Sequence, residues 1–280
     1  MGAFFETIPE SLIKWVLEQK VFWVSTAPLS GKGHVNVSPK GGQVFGIIGV
    51  DTFYYVDMTG SGCETISHLL EPGNGRITIL FNAFEGPPRI LRFWGKGRVL
   101  ENGTPAFNDI VERENIDVIP GIRSIIVVDI HQVGTSCGYS VPKFAFQEFR
   151  TTLNDYFKRK EDKYLAGNEK ESMDRYWALK SSWSMDGLPG MERGLKAGRE
   201  YGVKPMAKMV GPLAPKNGQL SGLGRFQLEH LIIIILTVLL AISLATHPAF
   251  QQQAKTRIQD MMLHVKAVPD ALPSSVRFRD

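Results

Sequence analysis

Over the first 135 residues the apolar positions fall in short runs, each closed by turn-forming residues, and this spacing predicts strands. Runs of that kind cover 21–26, 34–37, 44–50, 52–57, 76–81 and 90–100. Residues 122–133, with IIVV at their centre, read as one more long strand. Gly31, Gly33, Pro39, Gly41, Gly42, Asp51, Gly73, Gly75, Gly86 and Pro88 supply the breaks. A helix is expected over 7–20. There Thr7 and Glu10 have capping-box spacing, Pro9 sits in the first turn, and Leu12, Ile13, Val16 and Leu17 form one apolar stripe. Shorter helices are expected at 64–70 and 105–115. Many short strands with tight turns and few helices between them predict a mainly β, antiparallel barrel or sandwich, not a doubly wound sheet.

The strand pattern stops near residue 135. Residues 146–190 carry charged, helical segments (NDYFKRK, ESMDRYWALK), and 191–226 are rich in Gly, Pro and Lys and read as a linker. From Leu231 to Thr246 (LIIIILTVLLAISLAT) no charge interrupts sixteen almost wholly aliphatic residues. Such a helix is about 24 Å long, close to the thinner bilayers, and lacks a polar face. A transmembrane anchor over 227–250, followed by a short tail to 280, is therefore expected, with a buried core helix as the alternative. Lys204, Lys208, Lys216 and Arg225 precede the segment and favour a cytosolic N-terminal side, while Lys255 and Arg257 after it weigh against that.

Composition narrows the classes. An apolar share of 43% with 21% charge belongs to a folded chain, and 32 cations against 28 anions form no nucleic-acid patch. Cys63 and Cys137 are the two cysteines, so neither a disulfide framework nor a metal-ligand spacing is implied. The opening MGAFFETIPE has no basic and apolar signal pattern, and Glu6 stands where a myristoylation signal wants Ser or Thr.

The stretch Tyr54-Tyr55-Val56-Asp57-Met58-Thr59-Gly60-Ser61-Gly62-Cys63-Glu64-Thr65 carries the clearest chemistry: a strand ends, a glycine turn follows and a helix begins. Helix starts present free N–H groups that suit a phosphate. Gly60 and Gly62 allow close approach, and Thr59, Ser61 and Thr65 offer hydroxyls. The plainer alternative makes Ser61 and Glu64 a capping box. Glu64 repels a phosphate unless it points away or is paired. Lys40 is the nearest cation, with a solvated turn residue as its own plain alternative. Without a third glycine, GSG is not a dinucleotide fingerprint.

Four blocks in order, His34-Val-Asn-Val-Ser-Pro-Lys-Gly41, Tyr55 to Leu69, Arg76 to Phe81 and Pro88 to Gly97, resemble the pyridoxamine 5′-phosphate oxidase-like, FMN-binding split-barrel family. Residues 136–142 and 184–190 resemble segments of its fungal and bacterial branch. The resemblance spans about 5–145 and implies a six-stranded antiparallel Greek-key split barrel with flanking helices, a homodimer, and FMN between the subunits. It puts the phosphate on Thr59, Ser61, Gly62, Cys63, Glu64 and Thr65, near Lys40 and Asp57. The ring then runs along Val35, Val37 and Ser38, with Tyr55, Arg92 and Trp94 nearby. Relatives usually carry Asn where Cys63 stands, and the substrate-gripping C-terminal segment of true pyridoxamine phosphate oxidases has no counterpart after 145. Flavin chemistry needs no side-chain triad. His34, Arg92, Trp94 and Tyr139 are substrate-side candidates, each with a packing or turn alternative, and His68 is expected on a solvated helix face. The sequence thus points to a membrane-tethered, FMN-dependent oxidoreductase acting on a small substrate. A non-catalytic flavin-binding or scaffold protein, or a barrel holding deazaflavin or haem, is the alternative.

Overall fold

The computed structural model describes residues 2–42, 44–212 and 214, and beyond these only 233–240, 242–243, 246–248, 252, 255–259 and 262. The chain divides into two units, Met1–Gly218 and Gln219–Asp280. Within the first, the described strands are β1 (Ala3–Phe5), β2 (Val21–Thr26), β3 (Asn36–Gly41), β4 (Phe45–Ile48), β5 (Thr52–Met58), β6 (Arg76–Asn82), β7 (Ile90–Glu101) and β8 (Ile122–Ser136). The helices are α1 (Glu10–Glu18), α2 (Glu64–Leu70), α3 (Pro105–Arg113), α4 (Thr152–Leu165), α5 (Met173–Lys180) and α6 (Glu192–Tyr201).

All strand pairs are antiparallel, in the order β3-β2-β6-β7-β8-β5-β4, with β1 paired to the far end of β8. The mainly β architecture stands, as a half-barrel of eight strands where six were expected. The extra pairing comes from the length of β8: its tail takes Phe4 opposite Gly134, and its first half, Ile122–Asp129, takes β5. Alternation sets the inside. Phe22 and Val24 of β2, Phe53 and Tyr55 of β5, Phe81 of β6 and Phe93 of β7 are all buried on one face. Their rings pack at centroid distances of 5.5 Å (Phe22–Phe53), 5.8 Å (Phe53–Phe81) and 5.6 Å (Phe81–Phe93). Each such side chain contributes about 1.5–3 kcal/mol by burial.

The expected capping box of the first helix is not formed: Pro9 is the N-cap and no side chain caps it, so the strict φ of proline sets the start. The helical extension after the barrel is present, and it is not a mere appendage. Trp177 and Met191 belong to the main core cluster with Phe22, Phe53 and Phe93. The stretch read as linker from 191 opens with α6, while 215–226 lie outside the described residues.

The membrane anchor is corrected. No helix among the described residues is long and apolar enough to cross a membrane. Residues 227–232, 241, 244, 245, 249 and 250 of the proposed span lie outside the described set. An aliphatic run with no charge is a matter of composition, and helix length is what a span requires. With the span go the membrane tether, the membrane as partner and the membrane-anchored location.

Candidate functional site

Among the described residues the sheet's two edges, β3 and β4, carry no ladder between them, and side chains link β3 to β5, the neighbour of β4. Lys40 of β3 places Nζ 2.6 Å from Asp57 Oδ1 on β5, and Arg123 of β8 places Nε 2.7 Å from Oδ2. Asp57 is fully buried and Arg123 is 4% exposed, while the Lys40 side chain keeps 21% exposure. Burial alone raises the Asp57 pKa, but Arg123 and then Lys40 outweigh it and hold the group at about 2. Two cations thus face one carboxylate, a surplus of one positive charge at the barrel rim.

That surplus borders the glycine turn. Arg123 Nη1 donates to Gly62 O at 2.6 Å and to Ser181 Oγ at 3.2 Å, tying β8, the turn and the extension together. Ser61 is exposed, Gly60 and Gly62 are half-buried, and a Cβ on Gly60 would meet nothing within 4 Å. The Ser61–Glu64 capping box is not made. Cys63 is the N-cap of α2 and no side chain caps the helix. The Glu64 carboxylate instead folds back over Gly62 and accepts from Met185 N at 3.0 Å.

The other proposed contacts divide into those on the rim and those behind it. Val35 and Val37 are exposed, at 69% and 59%, on and just before edge strand β3. On the opposite face Ser38 donates to Asn36 Oδ1 at 3.2 Å, and Asn36 Nδ2 donates to Thr65 Oγ1 at 3.1 Å. Tyr55, Thr59 and Cys63 have no exposure and act from behind. The Tyr55 ring lies 5.5 Å below Lys40 Nζ. Thr59 Oγ1 accepts from Trp177 Nε1 at 2.9 Å. Cys63 sits under Gly190, with Lys208 Nζ at 3.6 Å, and burial pushes its thiol pKa up despite that cation.

The structure does not bring Arg92 and Trp94 to this rim. They lie on β7, separated from β3 by β2 and β6, where Arg92 makes a 3.4 Å bond to Ser136 and Trp94 stacks on Phe4 at 6.3 Å. Tyr139 is 80% exposed and His34 is bonded to Asp186. His68 is corrected: it is fully buried, not solvated, with Nδ1 2.9 Å from Thr26 Oγ1 and Nε2 unpartnered. Burial lowers its pKa. Arg123, Trp177, Ser181, Met185, Asp186 and Lys208 were missed from the sequence. Only Arg123 left a usable sign there, as a charge in a buried strand that demands a counter-charge such as Asp57.

The residues present fit a phosphate-bearing flavin at the rim. The Lys40–Asp57–Arg123 cluster, an exposed hydroxyl at Ser61 and an open approach at Gly60 face the Glu64 carboxylate over Gly62, and Val35 and Val37 are exposed before and on β3.

No family model matches the chain. The pyridoxamine 5′-phosphate oxidase family protein ustO of Aspergillus flavus is 43% identical over 144 residues, which take in 51% of this chain and 57% of that protein. The chain thus spans little more than half the length of this curated relative. Among solved structures, HupZ of Group A Streptococcus aligns with 45% of this chain and 92% of its own at 17% identity, with a TM-score of 0.35. A FAD binding protein of Mycobacterium smegmatis aligns with 46% and 96% at 11% identity, TM-score 0.33. A FMN-binding protein of Syntrophomonas wolfei aligns with 49% and 84% at 14% identity, TM-score 0.30.

Proposed function

We propose that the chain, 43% identical over 144 residues to a pyridoxamine 5′-phosphate oxidase family protein, is an FMN-binding flavoprotein that carries out oxidoreduction of a small substrate. The observation that supports this most is the surplus cation of the Lys40–Asp57–Arg123 cluster, set beside the Ser61 turn in a chain 43% identical to a family protein.

In this reading Lys40 takes a phosphate oxygen from its solvent-facing side, while Arg123 holds the turn by Gly62 O and keeps Asp57 ionised. Ser61 donates its hydroxyl to the phosphate, and Thr65 and Asn36 fix the spacing between α2 and β3. Val35 and Val37 give the ring an apolar floor that sheds water on binding. Tyr55, Asp57, Thr59 and Cys63 support the turn from beneath without touching the group. FMN bound there would supply the hydride and one-electron chemistry. Arg92 and Trp94 sit three strands from β3 and take no part in this reading within one subunit; a homodimer with FMN between its subunits would be the arrangement that brings them to the cofactor.

Purification of the full chain with its native chromophore tests the proposal. The expected protein is yellow and dimeric, and acid releases FMN, identified by mass. A released deazaflavin or haem would transfer the site to another cofactor, and a colourless protein that cannot be loaded with FMN would end the reading. FMN that no electron donor reduces would leave a non-catalytic binder.

A further inference from the structure

The turn between α5 and α6 is built to hold a shape. Ser184 N donates to Leu188 O at 2.9 Å, Leu188 N donates to Ser184 Oγ at 2.9 Å, and Trp183 and Pro189 form an isolated β-bridge at its base. Gly187 at φ +77° supplies the left-handed position that an L side chain resists. The feet of this turn are buried, with Ser182 at 2%, Ser184 at 6% and Leu188 at 6% exposure. Its tip reaches out to two elements of the barrel. Met185 N donates to Glu64 Oε1 at 3.0 Å, and the Asp186 carboxylate accepts from His34 N at 2.7 Å and lies 2.6 Å from His34 Nδ1. Glu64 opens α2, and His34 leads into β3. The tip therefore ties the start of α2 to the residues that lead into β3.

The Glu64 contact has a consequence for an anion. Its carboxylate lies over Gly62, on the turn that the FMN reading gives to the phosphate, and among the described residues it is held by the Met185 backbone N–H and forms no salt bridge. A negative charge fixed at that place opposes a second one at close range, by several RT even at an effective dielectric near 20. Resting on the FMN reading, we propose that Glu64 is a resident anion on the cofactor turn, held in place by the Ser184–Leu188 turn. FMN affinity is then set by its displacement. Asp186 and His34 fix the tip that holds Glu64, so loosening their bond frees the carboxylate to swing away.

The test compares FMN with riboflavin, which differs only in the phosphate, on the full chain and two variants. Glu64→Gln keeps an oxygen to accept from Met185 N and removes only the charge. Asp186→Asn weakens the latch without touching the turn. FMN should bind at least about tenfold tighter to Glu64→Gln than to the wild type, with riboflavin affinity unchanged. Asp186→Asn should move FMN in the same direction by a smaller factor, with the melting temperature confirming that both variants fold. Equal FMN affinity in wild type and Glu64→Gln, or weaker binding to the variant, would overturn the resident-anion role while leaving the FMN reading intact. An equal gain for riboflavin would also overturn it, because the effect would not be on the phosphate. If neither wild type nor variant binds FMN, it is the FMN reading that fails.

Discussion

Replacing Asp57 with Asn removes the one negative charge between two cations. The folded-state pKa of about 2 lies nearly two units below the ordinary carboxylate value of 3.8. At 1.36 kcal/mol per unit the ionised form contributes about 2.5 kcal/mol to stability. Because the folded pKa is depressed, that contribution is whole above pH ~4 and is lost as pH falls toward 2, with about 1 kcal/mol gone by pH 3. The variant also leaves Arg123, 4% exposed, and Lys40 without a counter-charge. Breaking a buried pair in this way costs about 3–5 kcal/mol in total. Urea unfolding followed by tryptophan fluorescence reads the difference at pH 7 and again at pH 3. Asp57→Asn should be less stable by about 3–5 kcal/mol at pH 7, and the gap should narrow at pH 3. A variant within about 1 kcal/mol of wild type at pH 7, or a gap that ignores pH, would show that the cluster does not hold the sheet edges together.

Three further outcomes follow from the same geometry. Trp177→Phe leaves the buried Thr59 hydroxyl without its 2.9 Å donor and should cost about 1–3 kcal/mol, read as a lower urea midpoint. Gly121→Ala puts a Cβ into the Phe157 ring at φ +92°, and differential scanning calorimetry should show a loss of about 1–3 kcal/mol or more. Ser61→Ala should weaken FMN binding by about 1.5–3 kcal/mol in a flavin-fluorescence titration, with the unfolding midpoint unmoved because Ser61 is exposed.

The barrel was legible because each strand is short, alternates or runs apolar, and ends on a glycine, proline or aspartate. Six of the seven apolar runs became strands near the expected bounds; the run at 34–37 did not, since β3 covers Asn36–Gly41 and passes through Pro39, which had read as a break, while α2 starts and stops where the turn residues put it. β1 was not legible: three residues, Ala3–Phe5, gain their strand state only from pairing with the tail of β8. The turn itself was found, but its surroundings were not. Arg123 hides inside an apolar strand, and the Trp177–Thr59, Met185–Glu64 and Asp186–His34 bonds join residues more than a hundred positions apart, which no local period records. The 231–246 run misled for the opposite reason, since its composition is loud, yet among the described residues no helix is long and apolar enough to cross a membrane.

The central claim is that the rim of the half-barrel recognises the phosphate of FMN, and a titration of the apo full chain with FMN and with riboflavin tests it most directly. The account predicts that FMN binds roughly a hundredfold tighter or more, about 2.7 kcal/mol, the value of one or two charge-assisted bonds from Lys40 and Ser61. Equal affinities for the two flavins, or no binding of either, would contradict it.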